Sequence, residues 1–468
     1  MWEQSKGEHI REIYNKYPDK IDITKPYFIG QGYLKNINKL TTKEEFYYSP
    51  PNSTPKKTAL YDIHKKSASK IIPFAGWLMP LWYAGIKEEH KAVRERAGLF
   101  DVGHMGIIEL KGKGAGRFLD LLTTNYVLRL LPGQATYSYF LGTDGIPLDD
   151  ILIYCFSNNH YMVVVNAVNH DKILAWLKGV KENKYIIDTK APWKEIDVAE
   201  FNLLDLKDPS SGKAQKMDLA LQGPATKNIV ASLLESEEDI IKFQLLERFN
   251  FFTTKIANIP VIISRTGYTG EEWGYEFYIH PHYAEELWGL ILEKGKEWGV
   301  VPAGLGARDS TRTEAGLPLY GHELAGDFKI TPQEAGYGAF VKLHKPFFVG
   351  RTKSLLQELY GEKTVIRFKL LNKNSRPVRA GSKVADERGK LIGKVTSCTV
   401  LPNGEQVGMA YMEHKNLKVG DLIYIFPITQ PCNEFKFKIG EKVILPEKGK
   451  VIPRFMGVEE EKKEEGCE

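Results

Sequence analysis

Two adjacent acids, Asp149 and Asp150, follow a glycine-rich turn and open a run of apolar residues. Carboxylates placed in this way can accept a proton or stabilise a developing positive charge. Because the run predicts a β-strand, neighbouring side chains are expected to point to opposite sides of a sheet, so only one of the two acids can easily face a given site. On these residues alone, a strand that simply starts after a turn is the better explanation.

Two further charged residues, Glu276 and Arg308, have side chains that can make paired hydrogen bonds. A carboxylate such as Glu276 can accept two parallel hydrogen bonds. The guanidinium of Arg308, in a predicted turn, suits a carboxylate or a carbonyl oxygen. Each residue also has a structural alternative. Glu276 can be an exposed strand carboxylate, and Arg308 can form an internal ion pair with Asp309 or Glu314.

The signatures of common nucleotide, metal and redox sites are missing. The glycines of the segment 112–116 have the wrong spacing for a phosphate-binding loop. His280 and His282 lack a third ligand nearby, so they do not indicate a metal site. The four cysteines form no CxxC pair, and neither a zinc site nor a disulfide framework is predicted. We therefore expect no metal, and a reducing, cytoplasmic setting.

Composition limits the class of protein. The chain has 468 residues, of which 43% are hydrophobic and 26% are charged, as is typical of a globular protein. A net charge of +5 over this length is mild, so a nucleic-acid partner is not expected. No apolar run approaches the ~20 residues that span a bilayer, and the N-terminus has no apolar signal region.

The pattern along the chain predicts an α+β fold in several parts. Residues 1–57 are polar and are predicted to be an N-terminal extension with a short helix at His9–Tyr14. Strands and helices mix without βαβ repetition from residue 58 to 340, which favours α+β over a doubly wound sheet. The stretch 190–216 is polar and is interpreted as an irregular insertion. We expect two strands interrupted by Pro260 between Phe251 and Ser264.

The sequence predicts specific bounds for one helix and for the strands of the C-terminal part. A helix is predicted over Ile86–Ala97, with Gly98 as its C-cap. Residues 345–455 have the pattern of short strands separated by turns, which predicts a small β-barrel. Residues 456–468 are predicted to form a charged, solvated tail. The predicted barrel strands are Val365–Leu370, Lys383–Val384, Ile392–Val400, Gln406–Tyr411 and Leu422–Tyr424.

Five segments, in order, resemble those of one known family, the T-protein of the glycine cleavage system, a tetrahydrofolate-dependent aminomethyltransferase. The resemblance extends from about residue 60 to about residue 430. One segment alone would be weak, whereas five in order at family-like spacing are highly specific. The segments are FAGWLMPLWY from Phe74, AGLFDVGHM from Ala97, GIPLDDIL from Gly145, RTGYTGE from Arg265 with GYE from Gly274, and GLGARDSTRTEAGLPLYG from Gly304.

The resemblance implies a three-lobed fold, in which two α+β lobes interleave in sequence and a C-terminal β-barrel closes a ring around a folate channel. It implies that tetrahydrofolate is the co-substrate and that the partner is a lipoylated carrier similar to the H-protein. The aminomethyl group on the lipoyl arm would become the methylene of 5,10-methylenetetrahydrofolate, with release of ammonia. The reaction needs no metal and no covalent nucleophile, so positioning supplies much of the effect.

The resemblance also implies roles for individual residues. Asp149 takes the place of the essential acid, Glu276 that of the residue that grips the pterin, and Arg308 that of the arginine that contacts folate. Aromatic rings near them can stack on the pterin or benzoyl group. The other family positions that line the channel correspond to Tyr137, Asn166, Tyr268, Met105 and Tyr320.

Departures from the family keep two other activities open. Trp273 looks like an insertion before Glu276, Gly103 stands where the family usually has Ser, and the extension and the 190–216 stretch are unusual. These changes leave open a folate-dependent demethylase that takes a methyl group from an onium or methylamine donor. A third interpretation is a non-catalytic, folate-binding protein of iron–sulfur assembly. That relative is marked by a Cys, which the segment 316–323 lacks.

Overall fold

A computed structural model of the chain describes residues 43–51, 53–373, 375–427 and 445–456, together with Lys16. The predicted helix at His9–Tyr14 lies outside these residues, as does nearly all of the predicted charged tail. Among the helices of these ranges, none is long and apolar enough to cross a membrane.

Helices and strands alternate irregularly along the described chain. The helices are α1 (Tyr61–Ser67), α2 (Ile86–Glu95), α3 (Ala115–Leu122), α4 (His170–Lys181), α5 (Thr226–Leu233), α6 (Glu237–Gln244), α7 (Ala284–Lys294), α8 (Leu305–Ala315) and α9 (Arg351–Tyr360). The strands are β1 (Lys56–Lys57), β2 (Lys70–Phe74), β3 (Trp77–Trp82), β4 (Ala97–Asp101), β5 (Gly106–Lys111), β6 (Gln134–Leu141), β7 (Pro147–Ser157), β8 (His160–Val165), β9 (Asn202–Asp205), β10 (Met217–Gln222), β11 (Phe251–Ile256), β12 (Ile259–Ser264), β13 (Gly274–Ile279), β14 (Val300–Ala303), β15 (Thr364–Leu370), β16 (Lys383–Ala385), β17 (Leu391–Val400), β18 (Gln406–Met412), β19 (Leu422–Phe426) and β20 (Glu447–Ile452).

The first large sheet has five strands in the order β6-β7-β8-β5-β9. Alternate residues of its central strands, such as Ile151, Ile153 and Val163, form one core cluster with the apolar faces of α3 and α4. Burial of such a cluster, at about 25 cal/mol per Å² of apolar surface, is what holds these helices on the sheet. This sheet and its helices form the first lobe.

The second large sheet has six strands in the order β11-β12-β13-β10-β4-β14, and α5 and α7 cover one of its faces. Strand β4 precedes the whole first lobe in sequence, yet it pairs with β10, which follows that lobe. The chain therefore leaves the second lobe after one strand, builds the first lobe and returns. This interleaving is the arrangement that the family resemblance implies.

The uncovered faces of the two sheets pack against each other. Tyr154 of β7 and Tyr278 of β13 belong to one mixed cluster, and their hydroxyl groups are 2.9 Å apart. Phe251 and Ile262 of the second sheet pack into the same cluster as Ile107 of the first. Side chains on these two faces therefore lie between the lobes, where a ligand could contact both.

A closed barrel of six strands, in the order β15-β18-β17-β16-β19-β20, forms the C-terminal part. A buried network joins it to α8. Arg312 Nη1 donates to Glu323 Oε2 at 2.8 Å, Arg312 Nη2 donates to Ser397 Oγ at 2.8 Å, and Ser397 Oγ donates to Glu323 Oε1 at 2.7 Å. Because breaking a buried pair leaves an uncompensated charge, this network fixes the barrel against the second lobe.

The α+β fold with a C-terminal β-barrel is confirmed, and several local predictions are wrong. Helix α2 ends at Glu95, and Gly98 lies inside β4 because its backbone pairs with β10 and β14. Pro260 lies within β12, and the break between the strands is instead at Ala257 and Asn258, which have positive φ. The stretch 190–216 contains the edge strand β9. The division at residues 57, 340, 345 and 455 stays a prediction.

Candidate active site

The paired acids lie on opposite faces of β7, as the alternation of a strand requires. Asp149 shares a face with Ile151 and Ile153, which pack under the helices of the first lobe. Asp150 shares a face with Leu152 and Tyr154, which pack toward the second sheet. Asp150, rather than the predicted Asp149, is therefore the acid that faces the space between the lobes.

One amide side chain links the two carboxylates. Asn166 Nδ2 donates to Asp149 Oδ1 and to Asp150 Oδ1, each at 2.8 Å. The Asn166 backbone N–H donates to Asp149 Oδ2 at 2.9 Å, and Asn169 Nδ2 donates to Asp149 Oδ1 at 2.5 Å. Asn166, which was predicted only to line the channel, thus contacts both acids directly, and the pair is held in one geometry before any ligand binds.

The charge state of this pair is set by burial. Burial and the charge of Asp150 raise the pKa of Asp149 to about 8, while the two asparagine amides and Lys172 oppose the rise. Burial also raises the pKa of Asp150. Two interacting carboxyl groups titrate as a unit, so the pair can hold a proton and a negative charge together near neutral pH.

A lysine that the sequence did not single out joins the pair to the predicted Tyr320. Lys172 Nζ donates to the Tyr320 hydroxyl at 2.8 Å and lies 4.7 Å from the centre of its ring. Burial lowers the pKa of Lys172 to about 8, although the charge of Asp149 works against this. The side chain follows Asn166 and Asn169 at the start of α4, and this spacing is the one signal that could have revealed it.

Tyrosine side chains surround Asp150. The Tyr137 hydroxyl donates to Asp150 Oδ2 at 2.9 Å. Burial is the main cause that raises the pKa of each of five tyrosines, and the charge of Asp150 contributes in every case. Each ring therefore lies close enough to Asp150 to sense its charge. The five are Tyr137, Tyr139, Tyr268, Tyr320 and Tyr337.

Arg308 lies in the first turn of α8, not in an irregular turn as predicted. Its Cζ is 5.3 Å from the centre of the Tyr268 ring, which is close enough for a cation–π contact. Its two alternative partners are taken, because Asp309 pairs with Arg312 and Glu314 pairs with Arg94, each at 2.6 Å. Across the described ranges, the Arg308 guanidinium makes no hydrogen bond or ion pair, so its five N–H groups are available to a ligand.

Glu276 lies on the opposing sheet and is only 6% exposed, so it is not an exposed strand carboxylate. Its Oε2 accepts hydrogen bonds from Thr266 Oγ1 at 2.5 Å and from the Tyr278 hydroxyl at 3.4 Å. Met105, the remaining predicted site residue, packs against clusters at the boundary of both lobes. The ring centre of Trp273 lies 3.9 Å from Arg265 Cζ. Trp273 also packs against the core of the second lobe, on the side of the sheet opposite Glu276.

The predicted residues thus form two groups on facing sheets. Asp149, Asn166, Tyr137 and Tyr320 gather around Asp150 on the first, while Glu276 lies on the second. A cavity of about 560 Å³ between the barrel and α9 is lined by none of the predicted site residues. Within the part of the chain that is described, no group of three or more His, Cys, Asp or Glu residues could hold a metal ion.

Comparisons with known proteins show which family the chain belongs to. Residues 60–345 match the family described as GCVT N-terminal domain. An aminomethyltransferase of Thermoanaerobacter pseudethanolicus is 40% identical over 378 residues, which cover 80% of this chain and 94% of that protein. An aminomethyltransferase of Chloroherpeton thalassium is 38% identical over 372 residues, which cover 79% and 94%.

A solved structure gives the same answer for the fold. The glycine cleavage system aminomethyltransferase T from Bartonella henselae is 28% identical, with a TM-score of 0.69. The match covers 86% of this chain and 97% of that one, so it includes both lobes and the barrel. The family resemblance read from the five segments is confirmed. The chain belongs to the aminomethyltransferase family.

Proposed function

We propose that this protein is the aminomethyltransferase of a glycine cleavage system. It moves the aminomethyl carbon from the lipoyl arm of a carrier protein to tetrahydrofolate. The sulfur–carbon and carbon–nitrogen bonds of the aminomethyl group break, and its carbon forms new bonds to N5 and N10 of the folate. The two protons that N5 and N10 lose leave on the carrier thiol and on ammonia, so no oxidant or reductant is needed. The single observation that carries this proposal is the buried carboxylate pair of β7, of which Asp150 faces aromatic rings, in a chain of this family.

Asp150 is the proposed catalytic carboxylate. It faces the space between the lobes and is held by Tyr137 and Asn166. The carbon passes through an iminium-like cation, and a fixed carboxylate in a buried site stabilises such a charge far better than water does. The same oxygen atoms can take up a proton that the folate nitrogen loses. Asp149, the residue predicted from the sequence, would act behind it by sharing that proton.

Residues of the second lobe are proposed to bind the folate. Glu276 has an oxygen free of the bonds to Thr266 and Tyr278, and its carboxylate matches the 2-amino and N3–H edge of the pterin. Arg308 suits the glutamyl carboxylate or a ring carbonyl of the folate, and Tyr268 can stack beside it. Met105, Asn166 and Tyr320 complete the proposed lining. Burial between two lobes excludes water, which protects a reactive iminium from hydrolysis.

The test is a product assay with tetrahydrofolate and purified protein. One reaction receives an aminomethyl-loaded lipoyl carrier, and a second receives a methylated onium donor. We expect 5,10-methylenetetrahydrofolate and ammonia from the carrier alone, as identified by mass and by an ammonia assay. Asp150→Asn should lower the rate of product formation by about 10³-fold, whereas replacement of Asp171, an exposed acid on α4, in Asp171→Asn should leave the rate unchanged. Methyltetrahydrofolate from the onium donor, with the carrier inert, would overturn the proposal in favour of the demethylase.

A further inference from the structure

One buried acid takes no part in the hydrogen-bond networks described so far. Asp218 lies in β10, between strands β13 and β4 of the second sheet, and every residue of β10 is buried. Its side chain is 2% exposed, and its Oδ1 has no hydrogen-bond partner among the residues that the structure describes. Buried polar atoms are normally paired, so an unpaired carboxyl oxygen in a central strand requires an explanation.

The strand register places Asp218 beside Glu276. Asp218 is opposite Tyr278 and Ala220 is opposite Glu276, so the two acids are diagonal neighbours on the face that meets the first lobe. Side chains in this relation are within reach of one another or of a single shared ligand. The pKa of Asp218 is raised well above its usual range by burial first and by the charge of Glu276 second, which agrees with this closeness.

Other groups with unused hydrogen-bonding capacity lie around the same point. The Val102 backbone N–H donates to the Asp218 carbonyl, so the turn that carries His104 runs alongside. His104 Nδ1 is buried and has no partner within the described segments. The cations of Arg308 and Lys207 lower the pKa of both Asp218 and His104, although burial outweighs them at Asp218 and keeps its pKa raised. Several groups whose hydrogen bonds are unmet thus converge where two lobes meet, as expected for a site that a ligand completes.

The pterin ring of a folate presents donors and acceptors in a fixed order along one edge. The N2 amine and N3–H donate, and the flanking N1 and O4 atoms accept. The carboxylate of Glu276 matches the two donors, but it cannot serve either flanking acceptor, because a carboxylate only accepts. A donor beside Glu276 would serve such an acceptor, and a neutral carboxyl group is one.

We propose that Asp218 is a further pterin-binding residue, which donates a hydrogen bond as a neutral carboxylic acid to the ring acceptor beside the donors held by Glu276. This rests on the proposed function, since it assumes that a folate occupies the space between the lobes. Glu276 and Asp218 would then bind two donors and one acceptor of the pterin ring together. An apolar side chain at position 218 could not bind the acceptor. In the free protein, the unpaired acid is a cost to stability.

The experiment compares two replacements of one side chain in the full-length protein. Asp218→Leu removes the hydrogen-bonding group and keeps the branched shape of the side chain, while Asp218→Asn keeps an N–H donor. Binding of tetrahydrofolate, and of a tetrahydropterin without the benzoylglutamate, is measured by calorimetry without oxygen. We expect Asp218→Leu to weaken both ligands by about 10–100-fold and Asp218→Asn by less than about threefold, as is usual when a buried ligand group loses its partner.

Thermal unfolding of the ligand-free variants separates binding from folding. Asp218→Leu should unfold at a higher temperature than the wild type, because a buried unpaired carboxyl is replaced by an apolar group. Equal folate affinity in Asp218→Leu and the wild type would overturn the inference and leave the proposed function intact. A lower unfolding temperature for Asp218→Leu would assign Asp218 a structural role and also overturn it. A wild type that binds neither ligand would overturn the proposed function itself.

Discussion

Two pairs of buried carboxyl groups lie on the two facing sheets, and they differ in the hydrogen bonds that the protein donates to them. The Asp149–Asp150 pair of the first sheet accepts hydrogen bonds from two asparagine side chains and a tyrosine. In the Asp218–Glu276 pair of the second sheet, Glu276 has hydroxyl partners, whereas Asp218 Oδ1 has none among the described residues. The first pair is complete without a ligand and the second is not.

The difference indicates a division of labour. A carboxylate that is fixed by neutral donors can hold a charge in one place, which is what stabilisation of a transient cation needs. An acid with an unmet hydrogen bond gains stability only when a ligand supplies the partner, which is what selective binding needs. We therefore expect changes in the first pair to lower the rate of transfer and changes in the second to lower the affinity for folate.

The largest expected effect is on the rate. Asp150→Asn keeps the shape of the side chain but removes its charge, so we expect kcat to fall by about 10³-fold, within the range for loss of a general acid–base group. Folate affinity should change by less than about threefold, because Asp150 holds the transition state rather than the pterin edge. Single-turnover kinetics with the loaded carrier measure the first quantity, and calorimetry measures the second.

Asp149→Asn is the matched control for that change. Because its side chain points under the helices of the first lobe, we expect a loss of only about tenfold, through the charge state of its neighbour. A greater loss in Asp149→Asn than in Asp150→Asn would show that Asp149, the residue predicted from the sequence, is the catalytic one. It would contradict the assignment of catalysis to Asp150.

The next effect is on affinity. In Glu276→Gln an N–H₂ group replaces an oxygen atom that is expected to face pterin donors, so folate should bind about 10–100-fold more weakly. The rate at saturating folate should stay within a few-fold of the wild-type rate. Glu109→Gln, on β5, serves as a control, since Glu109 pairs with His160 at 2.7 Å and has no predicted ligand contact. Unchanged folate affinity in Glu276→Gln would contradict the binding role of the second pair.

The smallest effect is a shift in pH dependence. The positive charge of Lys172 favours the ionised form of Asp149, so its removal in Lys172→Met should raise the pKa of Asp149 further above about 8. If transfer requires the ionised pair, the rate rises with pH through this pKa, and the midpoint of the kcat profile should move upward by about 0.5–1 unit. Lys178→Met, an exposed position on the same helix, should not move it. A midpoint that moves downward would exclude Lys172 from this coupling.

Strand alternation explains why the choice between the two acids could not be made from the sequence. Both faces of β7 are buried, one under helices and one against the second sheet. After each acid, the residues on the same face of the strand are therefore apolar. The alternating pattern that marks a solvated face is absent from such a strand. The pairing with β6 and the packing of the second sheet were needed to show which of Asp149 and Asp150 lies between the lobes.

Asp218 was missed for a related reason. A single acid within Met217–Gln222 does not form a periodic sequence pattern. Its position beside Glu276 depends on pairing with β13, whose residues lie about 60 positions further along the chain. Likewise, Gly98 fits a helix cap in the local sequence, but long-range pairing with β10 and β14 draws it into a strand. Tertiary contacts of this kind override local preference.

By itself, the sequence determined the family, the α+β class and the C-terminal barrel, and it predicted most of the polar residues of the candidate site. It could do so because order and spacing of short segments, apolar period and turn chemistry are local properties of the chain. The tertiary structure decided which acid faces the other lobe, which side chains form hydrogen bonds with it, and which buried acid has an oxygen atom without a partner among the described residues. These depend on distances between residues far apart in sequence, and only the interleaving of the two lobes sets such distances.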